Sequence, residues 1–329
     1  MEMKNETRLW KTIYLLTSLV IVLVAFIALG FTYDSTGERI VRSFKQDYAI
    51  FALDIPEGLN FAGEVVPINN FDVRESFDRE LLVNTYWQSQ TLLFIKRANK
   101  YFPVIEKILQ ENNIPDDFKY LALAESGLQN AVSPAGAVGF WQLLKGTAED
   151  YGLEVNREVD ERYHMEKATE AACRYLRDSY KLYGNWTMVA ASYNMGRNGL
   201  RNQVERQKES NYYDLLLNDE TSRYVFRILA IKSILNDSEK YGFYVKNKDL
   251  YQHIPYYEVE IDSTVLDFAD FAKLHNTNYK MLKYLNPWLR DRYLTNRHKN
   301  TYVIKIPYLG ARTLVVPEEM EINTSVQLN

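Results

Sequence analysis

The sequence predicts a mainly α-helical protein with a small α+β domain near its C-terminal end and a transmembrane helix at its N-terminus. Three observations carry this expectation. Apolar residues recur at helical spacing between about residues 72 and 240, with almost no alternating segment among them. After Gly242 two alternating segments bracket two short helical patterns. Residues 13–31 form a nearly unbroken apolar run.

Composition narrows the class further. A chain of 329 residues suits one large domain or two modest ones and is long enough to bury a sizeable core. With 47% hydrophobic residues, a folded chain is expected rather than a disordered one. The net charge is −4 and no long basic run occurs, so nucleic acid is a poor partner. The four histidines are scattered without ligand spacing and Cys173 stands alone, so neither a zinc site nor an intramolecular disulfide is expected. The 25 tyrosines and 5 tryptophans are compatible with stacking on sugars or bases, but core and surface packing is the favoured reading.

The elements follow in order. As a helix, residues 13–31 would rise about 28 Å, close to the hydrocarbon thickness of a bilayer. Lys4, Arg8 and Lys11 precede the run and Asp34 and Glu38 follow it. Positive charge stays cytoplasmic, so residues 1–31 are expected to anchor the chain with its N-terminus inside and the remainder outside the cytoplasm. A signal peptide cut after Ala28 is the rival. No cysteine lies near the run, which argues against a lipoprotein. Residues 32–71, with Gly37, Pro56, Gly58, Gly63 and Pro67, read as a stalk.

Helical patterning begins near Asp72 with Val73, Phe77 and Leu81, followed by Trp87, Leu92 and Ile95. A second helix is expected from Tyr101-Phe102-Pro103, with proline in its first turn, to Asn112. Asp116-Asp117 offers an N-cap for the next, which ends at Ser126-Gly127. Further helices are expected over 145–151, 165–183, 186–193 and 224–236, closing a helical domain of residues 72–245. Residues 256–307 read as strand, helix, helix, strand, with strands over 256–261 and 302–307. Residues 308–329 are left as a tail.

One residue stands out chemically. Phe118, Leu121, Ala122 and Glu125 follow the i, i+3, i+4, i+7 spacing of one helix face. Burial raises a carboxyl pKa, and the negative end of the helix dipole acts in the same direction. A carboxylic acid that keeps its proton near neutral pH is what general-acid chemistry requires. Taken alone, a helical Glu is more often solvated or paired than catalytic. The loop Ser133-Pro134-Ala135-Gly136-Ala137-Val138-Gly139 suits a tight, shaped turn. Phe140-Trp141-Gln142 either packs a core or lines a groove. Tyr193-Asn194, before Gly196, is either a helix cap or a phenol and an amide set against a buried acid.

Together these segments resemble the soluble lytic transglycosylase family, of the membrane-bound lytic murein transglycosylase D type. The resemblance runs over about residues 85–240 and rests on AESGLQNAVSPAGAVGFWQ, SYNMG and ETSRYVFRILA in that order. It implies a lysozyme-like helical fold, with Glu125 as the single catalytic acid and base. It also implies that Ser126 and Gln142 contact substrate acetamido or nearby sugar atoms, that Tyr193 orients Glu125, and that Asn194 completes the same motif. Gly139, Phe140, Trp141 and Tyr224 would complete a sugar groove. The implied reaction is non-hydrolytic cleavage of peptidoglycan between N-acetylmuramic acid and N-acetylglucosamine, with a 1,6-anhydro product and no metal or organic cofactor. A lysozyme-type hydrolase or a non-catalytic cell-wall scaffold are the alternatives. Residues 256–307 resemble a LysM module, with Asn286 where that module usually has Asn. Its usual Gly-Asp-Thr is replaced by Ile261-Asp262-Ser263-Thr264, which leaves glycan binding and a purely structural role equally open. Partners would be peptidoglycan strands and the inner membrane, on its periplasmic face, with any cell-wall synthesis or division protein unspecified.

Overall fold

A computed structural model describes residues 10, 13–25, 27 and 50–313. The chain divides into two compact units, residues 1–52 and 53–329. In the first, residues 13–25 are helical and exposed. Thr17 and Ser18 donate their hydroxyls to the carbonyls of Ile13 and Tyr14, one turn back, at 3.0 and 2.9 Å. Among the described residues no helix is long and apolar enough to cross a membrane. The rest of the expected anchor, residues 32–49 of the expected stalk and residues 314–329 of the tail lie outside the described residues.

The second unit opens with a hairpin, β1 (Asn60–Phe61) and β2 (Glu64–Val65). Eight helices follow: α1 (Phe71–Tyr86), α2 (Gln88–Glu111), α3 (Phe118–Ser126), α4 (Lys145–Asp150), α5 (Met165–Tyr183), α6 (Trp186–Met195), α7 (Arg197–Gln207) and α8 (Asp219–Asn236). The C-terminal module comprises β3 (Tyr256–Ile261), α9 (Phe268–Leu274), α10 (Tyr279–Leu285) and β4 (Tyr302–Pro307). Its two strands pair antiparallel, from Tyr256 opposite Pro307 to Ile261 opposite Tyr302.

Four expectations are corrected. First, the stalk ends early, because residues from Leu53 onward belong to the folded unit. Leu59, Phe61 and Val66 are buried, and the Phe61 ring meets Phe118 edge-on at 5.3 Å. Glu64 caps α6, accepting from the backbone N–H groups of Trp186 and Thr187 at 2.6 and 2.8 Å. Second, α2 does not start at Tyr101 but runs unbroken through Pro103. Its buried stripe of Phe94, Ala98, Phe102, Ile105 and Leu109 continues across the exposed proline, so tertiary packing overrides the local break. Third, Asp117 precedes α3 without capping it. Its carboxylate accepts instead from Lys232 at 2.6 Å and from the Ala62 N–H at 2.5 Å. Fourth, α7 is an additional helix. Only Leu200 of it is buried, so it carries no apolar stripe to read.

The main core gathers the inner faces of α1–α8, and Cys173 is a buried part of it. A second core is shared between the helical part and the C-terminal module. Val138, Val159 and Tyr163 of the former pack with Phe268, Leu282, Trp288, Ile304 and Ile306 of the latter. The backbone is stitched across the same seam, where Asp160 N–H donates to the Trp288 carbonyl at 2.9 Å and Arg290 N–H to that of Glu158 at 2.7 Å. Beside it Glu166 accepts from Lys305 and lies 3.2 Å from His164 Nδ1. Burial alone would raise Glu166, but His164 and Lys305 outweigh it and hold the carboxyl down at about 2.

Candidate active site

α3 is short and almost wholly buried, and Glu125 lies on its penultimate turn position. Phe118, Leu121 and Ala122 on the same face are fully buried, while Glu125 reaches a cleft. Gly127 ends the helix in the left-handed region, at φ 60°, and donates its N–H to the Leu123 carbonyl at 2.8 Å. The cleft holds about 410 Å³ and runs along α2, past Trp87, Phe94 and Arg97, to Ser126 and Gln129.

Glu125 Oε1 accepts a short hydrogen bond from the Tyr224 hydroxyl on α8. No other hydrogen bond reaches its carboxyl among the described residues. The Glu125 pKa is raised to about 7. Burial is the main cause, the Tyr224 hydrogen bond opposes it, the Glu220 charge adds to it and the Arg227 charge opposes it. Tyr224 is itself pushed well above its ordinary value, by burial first and then by the Glu125 charge.

Tyr193 does not fill the role expected of it. Its hydroxyl donates to the Trp141 carbonyl at 2.6 Å, so the tyrosine bound to Glu125 is Tyr224. Tyr193 still lies close enough for the Glu125 charge to raise its pKa, after burial as the larger cause. Asn194 ties the end of α6 to the start of α8, donating to Glu220 at 3.1 Å and accepting from Thr221 at 2.7 Å. Glu220 is the residue near the site that sequence reasoning missed. It is an exposed carboxylate at a helix start, and only its connection to Asn194 marks it out.

The loop before α4 supports Glu125 from below. The Ser126 hydroxyl donates to the Phe140 carbonyl at 2.8 Å. The Gln142 amide donates to the Gly139 carbonyl at 2.8 Å and the Ala131 carbonyl at 3.2 Å, from a backbone at φ 46°. These polar groups hold the loop rather than standing free in the cleft. Trp141 is fully buried with its indole N–H on Thr169 Oγ1 at 2.8 Å, so it is core and not groove lining. Phe140 is also buried and meets Tyr101 edge-on at 4.8 Å. Gly139 is required, since a Cβ there would stand 2.1 Å from the Arg162 carbonyl oxygen. The Arg162 guanidinium donates to the Gly136 and Leu143 carbonyls at 3.1 and 3.2 Å and pairs with Asp160 at 2.8 and 2.9 Å. The loop is thereby nailed to the seam with the C-terminal module. Among the described residues, no cluster of His, Cys, Asp and Glu is arranged to hold a metal ion.

Residues 102–216, which contain Glu125, the loop and Asn194, match the family model of the transglycosylase SLT domain. Over that stretch the chain is similar to a transglycosylase SLT domain. Residues 257–310 match the soluble lytic transglycosylase C-terminal LysM-like domain. The chain is also 29% identical, over 223 residues, to the membrane-bound lytic murein transglycosylase D of Escherichia coli K12 and to that of Escherichia coli O6:H1. The match covers 66% of this chain and 48% of each relative, so the chain spans about half the length of the curated relatives it matches. Tyr224, whose hydroxyl binds Glu125, lies C-terminal to the matched part of the SLT domain.

Proposed function

We propose that this protein is a peptidoglycan lytic transglycosylase in which Glu125 serves first as acid and then as base. The observation that carries this reading is a carboxyl group raised to about 7, at an open cleft of an SLT domain, with one oxygen engaged by Tyr224. The protonated acid gives its proton to the glycosidic oxygen between N-acetylmuramic acid and N-acetylglucosamine. The C1–O bond breaks and cationic character develops at C1, where the neighbouring acetamido group stabilises it. The Glu125 carboxylate then takes the proton of the muramyl C6 hydroxyl as O6 bonds to C1. A 1,6-anhydro ring closes, Glu125 is protonated again, and no water is consumed. Tyr224 donates to Oε1 throughout and leaves Oε2 to carry the proton.

One observation favours a second reading, a lysozyme-type hydrolase. Glu220 is close enough to raise the Glu125 pKa, and two carboxylates flanking a glycosidic bond are the usual hydrolytic pair. Mass spectrometry of the products released from purified sacculi separates the two, because anhydro products are lighter by one water than hydrolysis products. Glu125→Gln is expected to bind sacculi without solubilising them. Glu220→Gln is expected to keep anhydro product formation while moving the alkaline limb of the pH profile down, since a charge that raises Glu125 is gone. Reducing-end products from the parent protein, abolished by Glu220→Gln, would establish the hydrolase instead.

The protein is placed, in the same proposal, at the periplasmic face of the inner membrane through its N-terminal apolar run. The support is the length of that run and the cluster of Lys4, Arg8 and Lys11 before it. Extraction by detergent but not by alkaline carbonate is the expected behaviour, and release by carbonate would refute the anchor.

A further inference from the structure

The cleft at Glu125 continues beyond the SLT domain. Arg97 and Gln129, which line it, also line a second cleft of about 740 Å³. One wall of this second cleft is α2, and the other is supplied by Tyr251, Ile254 and Tyr284, from the segment leading into the LysM-like domain and from that domain itself. The junction is fixed by the backbone, as Tyr251 N–H donates to the Lys96 carbonyl at 3.3 Å and the Asn99 amide donates to the Tyr251 carbonyl at 3.0 Å.

Lys96, Arg97 and Lys100 occupy positions i, i+1 and i+4 of α2 and all face this cleft. None of them pairs with a carboxylate among the described residues. Asp249 is the one acidic residue of the lining, and Lys248 adds a further basic one. Lys96 and Lys100 repel each other along the helix, and their compensation is aromatic. Lys96 Nζ lies 5.7 Å from the centre of the Tyr251 ring. Lys100 Nζ lies 4.8 Å from the centre of the Tyr284 ring and donates to its hydroxyl at 2.9 Å. Arg97 donates to the Gly127 carbonyl at 3.1 Å, one residue beyond the helix that carries Glu125. Both tyrosines are open to solvent, at 43% and 52% exposure, so the cation–aromatic wall is accessible. The field is felt nearby, where His253 is held below its ordinary value by burial first and then by the charges of Lys100 and Lys305.

Lys96, Arg97 and Lys100, without carboxylate partners among the described residues, backed by exposed rings and continuous with the cleft of Glu125, are complementary to an anion that is covalently part of the substrate. With the peptide amide-linked to the lactyl group the glycan backbone itself is uncharged, and amidase treatment leaves only a lactyl carboxylate held close to the sugar ring. We propose that this composite cleft binds the carboxylate-bearing peptide branch of the muramyl residue, so that the LysM-like domain forms a wall of the substrate site. The proposal rests on the transglycosylase reading of Glu125 and deepens it. It assigns Lys96 and Lys100 to specificity, with Tyr251 and Tyr284 as the surface that positions them.

The test compares two substrates, peptide-bearing glycan strands and strands stripped of their peptides by an amidase. The Lys96→Met/Lys100→Met variant keeps the apolar stems and removes the charges. It is expected to lose about tenfold or more in kcat/KM on the peptide-bearing strands, the loss that one or two charge-assisted contacts imply. On stripped strands it is expected to stay within about twofold of the parent, which also reports that the fold is intact. Equal loss on both substrates, or no loss on either, overturns the proposal. A binding measurement keeps the question independent of cleavage. Titration calorimetry of a soluble peptide-bearing disaccharide into Glu125→Gln, with and without the lysine substitutions, is expected to show weaker binding only when both lysines are replaced and only for the peptide-bearing ligand. Unchanged affinity in that comparison also overturns it. Failure of the parent to cleave either substrate, with the calorimetric difference present, would count against the transglycosylase reading and leave the peptide site standing.

Discussion

Glu125 holds its proton to about pH 7 because the interior of α3 disfavours its charge more than Tyr224 favours it. The folded pKa therefore lies above the unfolded one, near 4.5, and the folded state binds the extra proton between them. Stability is unaffected below pH 4.5, falls as pH rises through that window and reaches its full deficit above pH 7. Glu125→Gln is accordingly expected to raise the melting temperature at pH 8, by a free energy on the order of 2–3 kcal/mol, and to leave it unchanged at pH 4. Thermal melts at the two pH values check this, and a neutral or destabilising effect at pH 8 would contradict the buried-acid account. Tyr224→Phe removes the one hydrogen bond that lowers the Glu125 pKa. The alkaline limb of its kcat profile should move up, while the plateau rate falls about tenfold as Oε1 loses its orienting partner. A limb that stays in place would show that Tyr224 does not bind the acid in solution. The position of Glu125 was readable from Phe118, Leu121 and Ala122, whose spacing puts the acid on the same face. Its partner was not. Tyr193 and Tyr224 both end up near the carboxyl, and only the packing of α6 on α8 decides that Tyr193 turns to the Trp141 carbonyl instead.

At the scale of elements, the loop from Ser133 to Leu143 matters most, because Ser126 beside the acid hangs from its Phe140 carbonyl. Gly139 is the tight point of that loop, at φ 79° and against the Arg162 carbonyl. Gly139→Ala must displace backbone from backbone in a strained conformation. A loss of about 3 kcal/mol or more is expected, together with reduced activity, by chemical denaturation and turnover on sacculi. A near-neutral result would mean that Arg162 does not hold the loop as described. The helices with apolar stripes were legible, and α5 and α10 begin and end where the pattern says they should. What escaped were elements whose cause lies elsewhere in the chain. The β1–β2 hairpin exists because Phe61 enters the core and Glu64 caps α6, neither of which a local pattern of glycines and prolines reveals. Trp141 misled for the same reason, as its indole partner Thr169 is on α5.

At the scale of the whole molecule, the LysM-like domain and the SLT domain share a core rather than a linker. Val138, Val159 and Tyr163 are buried by Trp288 and its neighbours, and backbone hydrogen bonds cross the seam. Calorimetry of the second unit is expected to show one cooperative transition in place of two, with calorimetric and van't Hoff enthalpies equal. Two resolved transitions would mean that the seam melts independently. Asn286 belongs to the same picture. It is fully buried, with its amide donating to the Leu282 and Lys305 carbonyls and its oxygen accepting the Lys305 N–H, so it ties α10 to β4 and presents nothing to a glycan. Sequence reading found this region as a self-contained strand-helix-helix-strand unit because its internal periodicity is complete. The residues that bind it to the rest, such as Glu158 and Asp160, whose backbones bond those of Arg290 and Trp288, have no period and lie over a hundred positions before their partners. The Asp160–Arg162 pair therefore has a meaning for protein engineers. It marks residues 256–307 as non-interchangeable cargo: a chimera carrying a free-standing LysM module in their place would strip the cover from Val138 and Tyr163, and with it the anchorage of the loop beneath Glu125.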